Sequence, residues 1–443
     1  MKRRAGQTSE RCHARHEGGA LKRERHEGRA LNGERHEARA LNGAQHEGRA
    51  IKSAQQSAHH WASQRQRVAG VTLIELLVAV LVGSALVIAI TTILMRSEAG
   101  RRGLTATNDS SQNAAFVSFT LDRTLRSAGS GFSQSWRSAF GCRVLAARNG
   151  AAVLPRPAGF PAPFATVPQT VRLAPLVVHA GAGTGGSDVL AVATGASGLG
   201  EAPLNVTPGS VTGTQLGVPS TVGLRARDLV LVLQDADNCM VQQLANGFLS
   251  SASPQTLDFG GTYASSAINA VQLDSLGVSS PAFVAPLGNT VGNAPALQLL
   301  GVAANATLVS YDMLRIDGSD TVTPIADSVV DLRARYGVDS NGDGRIDTWV
   351  SPAVAPYDAA TLLNGSAASQ LNLASIQAVR VGLVLRSAAA ERSAVAPASL
   401  EMFSDLAVAL RYSRALDATE QLLRHRTVEF TVPLRNVMMM PKT

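Results

Sequence analysis

Cysteine is scarce in this 443-residue chain: 3 in all, of which only Cys142 and Cys239 follow residue 70. That excludes a disulfide-dense scaffold and a zinc site built from paired Cys-x-x-Cys motifs. Histidine is equally sparse there, with His179 and His425 alone, so no His/Cys cluster has metal-ligand spacing. Beyond residue 70 the only lysine is Lys442, which excludes a Walker-type phosphate loop. Aromatics make up 4%, and no basic patch is interleaved with them, so no nucleic-acid partner is predicted. The net charge of +7 resides in the first 70 residues, which hold 15 Lys/Arg against 7 Asp/Glu. The rest is nearly neutral. Nucleophile elbow, triad and paired catalytic carboxylates are all missing, and Asp235 and Asp237 read as solvated loop acids; no enzyme is predicted.

Against these absences stands one long apolar run. Residues 76–94 contain no ionised side chain, and as a helix they span about 28 Å, the thickness of a bilayer's hydrocarbon core. One acid, Glu75, sits at the entrance of the run, after Gly70-Val71-Thr72-Leu73-Ile74. A secretory signal has a shorter apolar region, with its cleavage site behind it. The stretch resembles the prepilin N-terminus: Gly before the cut, Glu at the fifth mature position, and a hydrophobic helix. The resemblance implies that a prepilin peptidase cuts after Gly70 and that the new amine, on Val71, is methylated. Phe is usual at that position, so Val71 is a departure. Glu75 is implied to pair with a terminal amine during filament assembly.

Residues 16–50 repeat a ten-residue unit (HEGGALKRER, HEGRALNGER, HEARALNGAQ) that steps His16, His26, His36 and His46 around a helix and carries little apolar surface. Residues 1–70 are therefore read as a leader with a disordered repeat extension, consistent with a misplaced translation start. After the transmembrane half (71–95), residues 96–130 continue as the amphipathic half of the helix. Phe116, Phe119 and Leu121, with Val117 and Leu125, are predicted to form the stripe that packs under a head. Residues 131–443 alternate short apolar runs with turn signals, which predicts a β-rich head of antiparallel strands. Residues 250–295 lack a clear pattern and read as an insertion or mobile loop. A further helix is expected around 359–373 or 399–416. The expected class is α+β: a long N-terminal helix followed by a large antiparallel β head.

Two motifs in the head invite a chemical reading. Gly181, Gly183 and Gly186 spell GxGxxG, but the apolar run that follows reads as a strand, so a glycine-rich loop between strands is expected. Asp339, Asn341, Asp343 and Asp347 place oxygens at positions 1, 3, 5 and 9 of a calcium loop, with the Arg345 carbonyl at 7 and Gly344 at 6. Val350 stands where a bidentate Glu would complete the site. A hairpin turn rich in Asn, Asp and Gly is the other reading, and the two are compatible.

Three further stretches resemble the PilW group of minor pilins: QNAAFVSFTLDRTLRSAG followed by Gly141-Cys142, YGVDSNGDGRIDTWV, and the tail RHRTVEFTVPLRN with its terminal Leu434-Arg435-Asn436. The resemblance implies a minor pilin of a type IV pilus, held in the bacterial inner membrane by one span with its head in the periplasm, then incorporated into the pilus. Its implied partners are the prepilin peptidase, other minor and major pilins, the assembly platform and the membrane. In that exported setting Cys142 and Cys239 are expected to form a disulfide. The alternatives are a pseudopilin of type II secretion and a pilus-borne, calcium-dependent adhesin. Calcium is the one cofactor considered.

Overall fold

A computed structural model describes residues 70–195, 202–234, 237–278 and 281–440, without the side chains of 99 and 102–107. The readings of 1–69 and of Asp235 lie outside the described residues. The chain divides into two compact units, Met1–Thr91 and Thr92–Thr443.

In the first unit a helix starts at Leu73, and Leu73–Glu98 is the one described stretch long and apolar enough to cross a membrane. Thr72 opens it, its hydroxyl accepting from the Glu75 N–H at 3.3 Å. The few polar groups along it turn inward on the backbone: Ser84 Oγ donates to the Leu81 carbonyl and Thr91 Oγ1 to that of Val87, both at 2.9 Å. Such bonding removes the cost of placing a hydroxyl in lipid. None of the span is buried within the chain.

In the second unit the helix runs on to Arg126. Gly129 and Gly131 follow with φ of +83° and +84°, a conformation that ends helices and suits glycine. The buried stripe is Ala114, Val117, Leu121 and Leu125, spaced three, four and four. These residues join one core with Val379, Val381, Val432 and Leu434 of the head. Phe116 and Phe119 do not belong to it; they are 52% and 67% exposed. The predicted stripe is therefore corrected at both phenylalanines. They lie about 150° around the helix from the centre of the stripe that faces the head.

The head is built from three main sheets. A six-stranded sheet has the order Ala151–Leu154, Arg143–Arg148, Asn238–Gln243, Asp228–Gln234, Ala282–Asn289, Leu204–Asn205. A five-stranded sheet runs Thr323–Asp327, Thr307–Asp312, Ala296–Ala303, Val189–Thr194, Leu176–His179. The third, of four strands, runs Thr348–Val350, Val329–Val338, Ile376–Arg386, His425–Pro433. All ladders are antiparallel but one: Arg143–Leu145 pairs in parallel with Asn238–Met240.

Residues 250–295 are not a loop. They contain the strands Gln255–Asp258 and Ala282–Asn289, the second an inner strand of the six-stranded sheet. Residues 399–416 form the ribbon Ser399–Met402 with Tyr412–Ala415 rather than a helix, whereas 359–375 holds two short helices, Ala359–Leu362 and Ala367–Ser375.

The five- and four-stranded sheets are joined by polar bonds in the core. The Asp188 carboxylate accepts from the backbone N–H of Ala334 and of Gly181, both at 2.9 Å, and its own N–H donates to the Leu332 carbonyl at 2.8 Å. Nearby the Val178 N–H donates to the buried Tyr336 hydroxyl. Burial raises the Asp188 pKa, against these bonds and the Arg333 and Arg335 charges that lower it.

Candidate functional site

The N-terminal candidates form a local group. Gly70 and Val71 precede the helix in an exposed, extended segment, and Glu75 lies in its first turn, four residues from Val71. A carboxylate in a first helical turn is favoured by the N–H groups there. Gly70, Val71 and Glu75 are exposed.

In the head, the Gly141-Cys142 pair lies where two chain segments meet. Gly141 has φ of +80°, and a side-chain carbon there would come within 3.1 Å of the Gly365 Cα. Its N–H donates to the Leu173 carbonyl at 2.8 Å, and its carbonyl accepts from Arg172 Nη1 at 2.5 Å. Only glycine meets both the angle and the contact. Cys142 is bonded through sulfur to Cys239, their Cα atoms 5.8 Å apart across 97 residues of sequence. The parallel pairing of Arg143 with Asn238 places the two cysteines at the ends of neighbouring strands. Both are fully buried.

Asp339, Asn341, Asp343, Arg345 and Asp347 fall together in one loop between the strands Val329–Val338 and Thr348–Val350. Asp339 accepts from the N–H groups of Gly342, Asp343 and Gly344 at 2.7, 3.1 and 2.8 Å. Asp347 Oδ2 accepts from the Ser340 N–H and hydroxyl, both at 2.8 Å, and Asp347 Oδ1 from Asn341 Nδ2 at 3.1 Å. These bonds hold the Asp347 carboxyl below the usual carboxylate range, the Ser340 hydroxyl contributing most. Asn341 and Asp343 accept from N–H groups two residues on. Among the described residues no group of three His, Cys, Asp or Glu side chains could hold a metal ion. The residue types suit calcium, and the same side chains accept hydrogen bonds from the loop itself. The loop is a hydrogen-bonded turn.

The glycines of GxGxxG lie between the strands Leu176–His179 and Val189–Thr194, with one short turn, Thr184–Gly186, and no helix for a phosphate. Asp237 serves the sheet: its carbonyl accepts from the Arg143 N–H at 2.8 Å. The terminal Leu-Arg-Asn has a defined task. Leu434 is buried in the main core, and Asn436 Nδ2 donates to the carbonyls of Ser127 and Ala128, just beyond the long helix. Sequence reasoning missed the polar knot of Arg156, Tyr311 and Asp320. Arg156 meets both the Tyr311 hydroxyl and the Asp320 carboxylate, and the Tyr311 hydroxyl donates to Asp320 at 2.7 Å. Arg156 lies 155 and 164 residues from its two partners, and no local signal joins it to them.

Residues 290–436 match the model of the PilW family, described as type IV pilus-assembly protein W. The stretch includes the 339–347 turn, the central strands of the four-stranded sheet and the Leu434-Arg435-Asn436 segment. Over that stretch the chain is similar to the PilW family of type IV pilus assembly. No curated protein and no solved structure matches the chain.

Proposed function

We propose that this chain is a minor pilin, cut after Gly70 by the prepilin peptidase, methylated on Val71, and incorporated into a type IV pilus or into the complex that primes it. The observation that supports this reading is a conjunction. A pilus-assembly match covers residues 290–436, and the same chain carries one membrane-length helix with Glu75 as the fifth residue counted from Val71. Before assembly the span holds the protein in the inner membrane with its head in the periplasm. In the filament the apolar side chains of Leu73–Glu98 exchange lipid for the helices of neighbouring pilins. Glu75 then pairs with a terminal amine, because a carboxylate in an apolar surrounding needs a cation or a proton.

The experiment compares a gene deletion and Glu75→Val with wild type, scoring twitching, DNA uptake and exoprotein secretion separately. Expected is loss of twitching and uptake with secretion intact. Loss of secretion alone would assign the chain to a secretion pseudopilus. Intact-mass analysis of membrane-purified protein should show a chain that begins at methylated Val71; a functional pilus that retains residues 1–70 would refute the processing.

A further inference from the structure

Three loops close the same end of the six-stranded sheet: residues 219–227 before the strand Asp228–Gln234, 244–254 after Asn238–Gln243, and 290–295 after Ala282–Asn289. Antiparallel pairing of those strands sets the loops side by side. The Thr221 N–H donates to the Ser251 carbonyl at 2.9 Å, and the Ser251 N–H to Thr221 Oγ1 at 2.7 Å. The Gln255 side chain then joins Thr221 Oγ1 to the Leu249 carbonyl. From the third loop, Asn289 Nδ2 and the Thr290 N–H donate to the carbonyls of Ala226 and Arg227. Leu224 and Phe248 anchor the first two loops in the core under this sheet. Each pinned loop nevertheless holds one large apolar side chain outward: Val222, Leu249 and Val291 are 66%, 80% and 65% exposed. Single apolar side chains on a surface are ordinary, but three on adjoining loops form a patch that marks a contact.

The charge around the patch has one sign. Arg225 and Arg227 are exposed, and the three loops contain no Asp or Glu. Arg227 has φ of +68°, a conformation that L side chains rarely adopt, and Asn246 Oδ1 accepts from its Nε at 3.1 Å. The adjacent acid, Asp228, is 9% exposed and accepts from Asn289 Nδ2 and the Arg225 N–H, both at 2.7 Å. We propose that this loop end docks on the surface of an anionic phospholipid bilayer. Val222, Leu249 and Val291 enter the boundary between headgroups and acyl chains, and Arg225 and Arg227 meet the lipid phosphates. The combination selects that occupant. Apolar tips beside guanidinium groups, with no acid among them, complement a surface that is negative outside and apolar just beneath. Arginine suits the phosphates because its guanidinium keeps its charge and presents a fork of donors. The contact is separate from the membrane span and does not depend on the pilus reading.

Cosedimentation tests it with the full chain, its span held in nanodiscs of neutral phosphatidylcholine and empty discs as the blank. The discs are mixed with vesicles of phosphatidylcholine alone or of phosphatidylcholine and phosphatidylglycerol in a two-to-one ratio. Binding to the anionic vesicles should exceed binding to the neutral ones at least tenfold and should fall as salt rises. Arg225→Gln/Arg227→Gln should lower it about fivefold per arginine at low salt. Val222→Ser/Leu249→Ser/Val291→Ser should lower it at least tenfold with melting unchanged, because all three side chains are exposed. Leu249→Asp alone, at the most exposed tip, gives the same reading with the least disturbance of the fold. Wild-type binding by either apolar variant would overturn the proposal, as would equal binding to neutral and anionic vesicles. Failure of the wild type to bind either vesicle would also overturn it, and would assign the patch to a protein partner.

Discussion

Asn436 Nδ2 lies 3.0 Å from the carbonyl oxygen of Ala128, a residue 308 positions earlier in the chain. With a second bond to the Ser127 carbonyl at 3.2 Å, the last motif of the family match binds the chain just past the long helix. The carbonyls after a helix have no partner in the helix itself, and Asn436 supplies one.

Asn436→Ala removes both bonds; the Ser127 carbonyl keeps the Ser130 N–H at 3.1 Å, and the Ala128 carbonyl loses the Asn436 donor. Expected is a loss of about 1–2 kcal/mol in urea unfolding. The Ser118–Ser127 amides should exchange faster than in wild type; unchanged exchange there would show that the contact does not hold the helix.

The disulfide should matter more. Cys142 and Cys239 close a loop across 97 residues, for which a chain-entropy argument gives about 4–5 kcal/mol. The double variant Cys142→Ser/Cys239→Ser should unfold at clearly lower denaturant, and reduction should move wild type to the same midpoint. Two thiols open to alkylation in the folded, exported protein would refute the bond.

For the 339–347 turn, Asp339 and Asp343 should behave differently. Asp339 is buried under three N–H bonds, so Asp339→Ala should cost about 3 kcal/mol. Asp343 is exposed, its carboxylate accepting from the Arg345 N–H, and Asp343→Ala should cost less than about 1 kcal/mol. Melting should be the same with calcium and with a chelator. A calcium-dependent rise abolished by Asp343→Ala would establish the metal reading instead.

Acid should weaken the head through His179. Burial lowers its pKa from 6.5 to about 4. The unfolded chain then binds the proton more readily than the folded one between those values. Its contribution is full above pH 6.5 and is lost as the pH falls toward 4, about 3 kcal/mol in all. His425, also shifted down by burial, acts in the same sense. Stability measured from pH 7 to 4 should fall less steeply in His179→Gln; an unchanged slope would show that other groups set it.

Phe116 and Phe119 present an apolar face that the head does not cover. If that face meets other pilins, Phe116→Ser/Phe119→Ser should leave head stability within about 1 kcal/mol while recovery in sheared pili drops several-fold. Equal recovery from membranes and pili would remove these side chains from assembly.

The apolar span and most strands were legible in the sequence because their signals are local. A helix over 76–94 satisfies its own backbone, and runs such as DLVLVLQ and VRVGLVLR need only their own residues to favour an extended chain. The Leu-Arg-Asn tail was legible as a motif, but its partner was not. Pro286 hid one inner strand: a proline argues against a central position, and the structure accommodates it with a register shift between Pro286 and Gly288.

What the sequence left open, the tertiary structure decided by bringing distant segments together. Val117 with Leu121 and Phe116 with Phe119 are both legal apolar stripes of one helix; the side on which Val379, Val381 and Val432 pack selects the first. The 339–347 residues serve a turn or a cation equally well as letters. Folding turned their oxygens toward the loop's own N–H groups, because Asp and Asn side chains mimic a backbone turn by accepting from amides a few residues on.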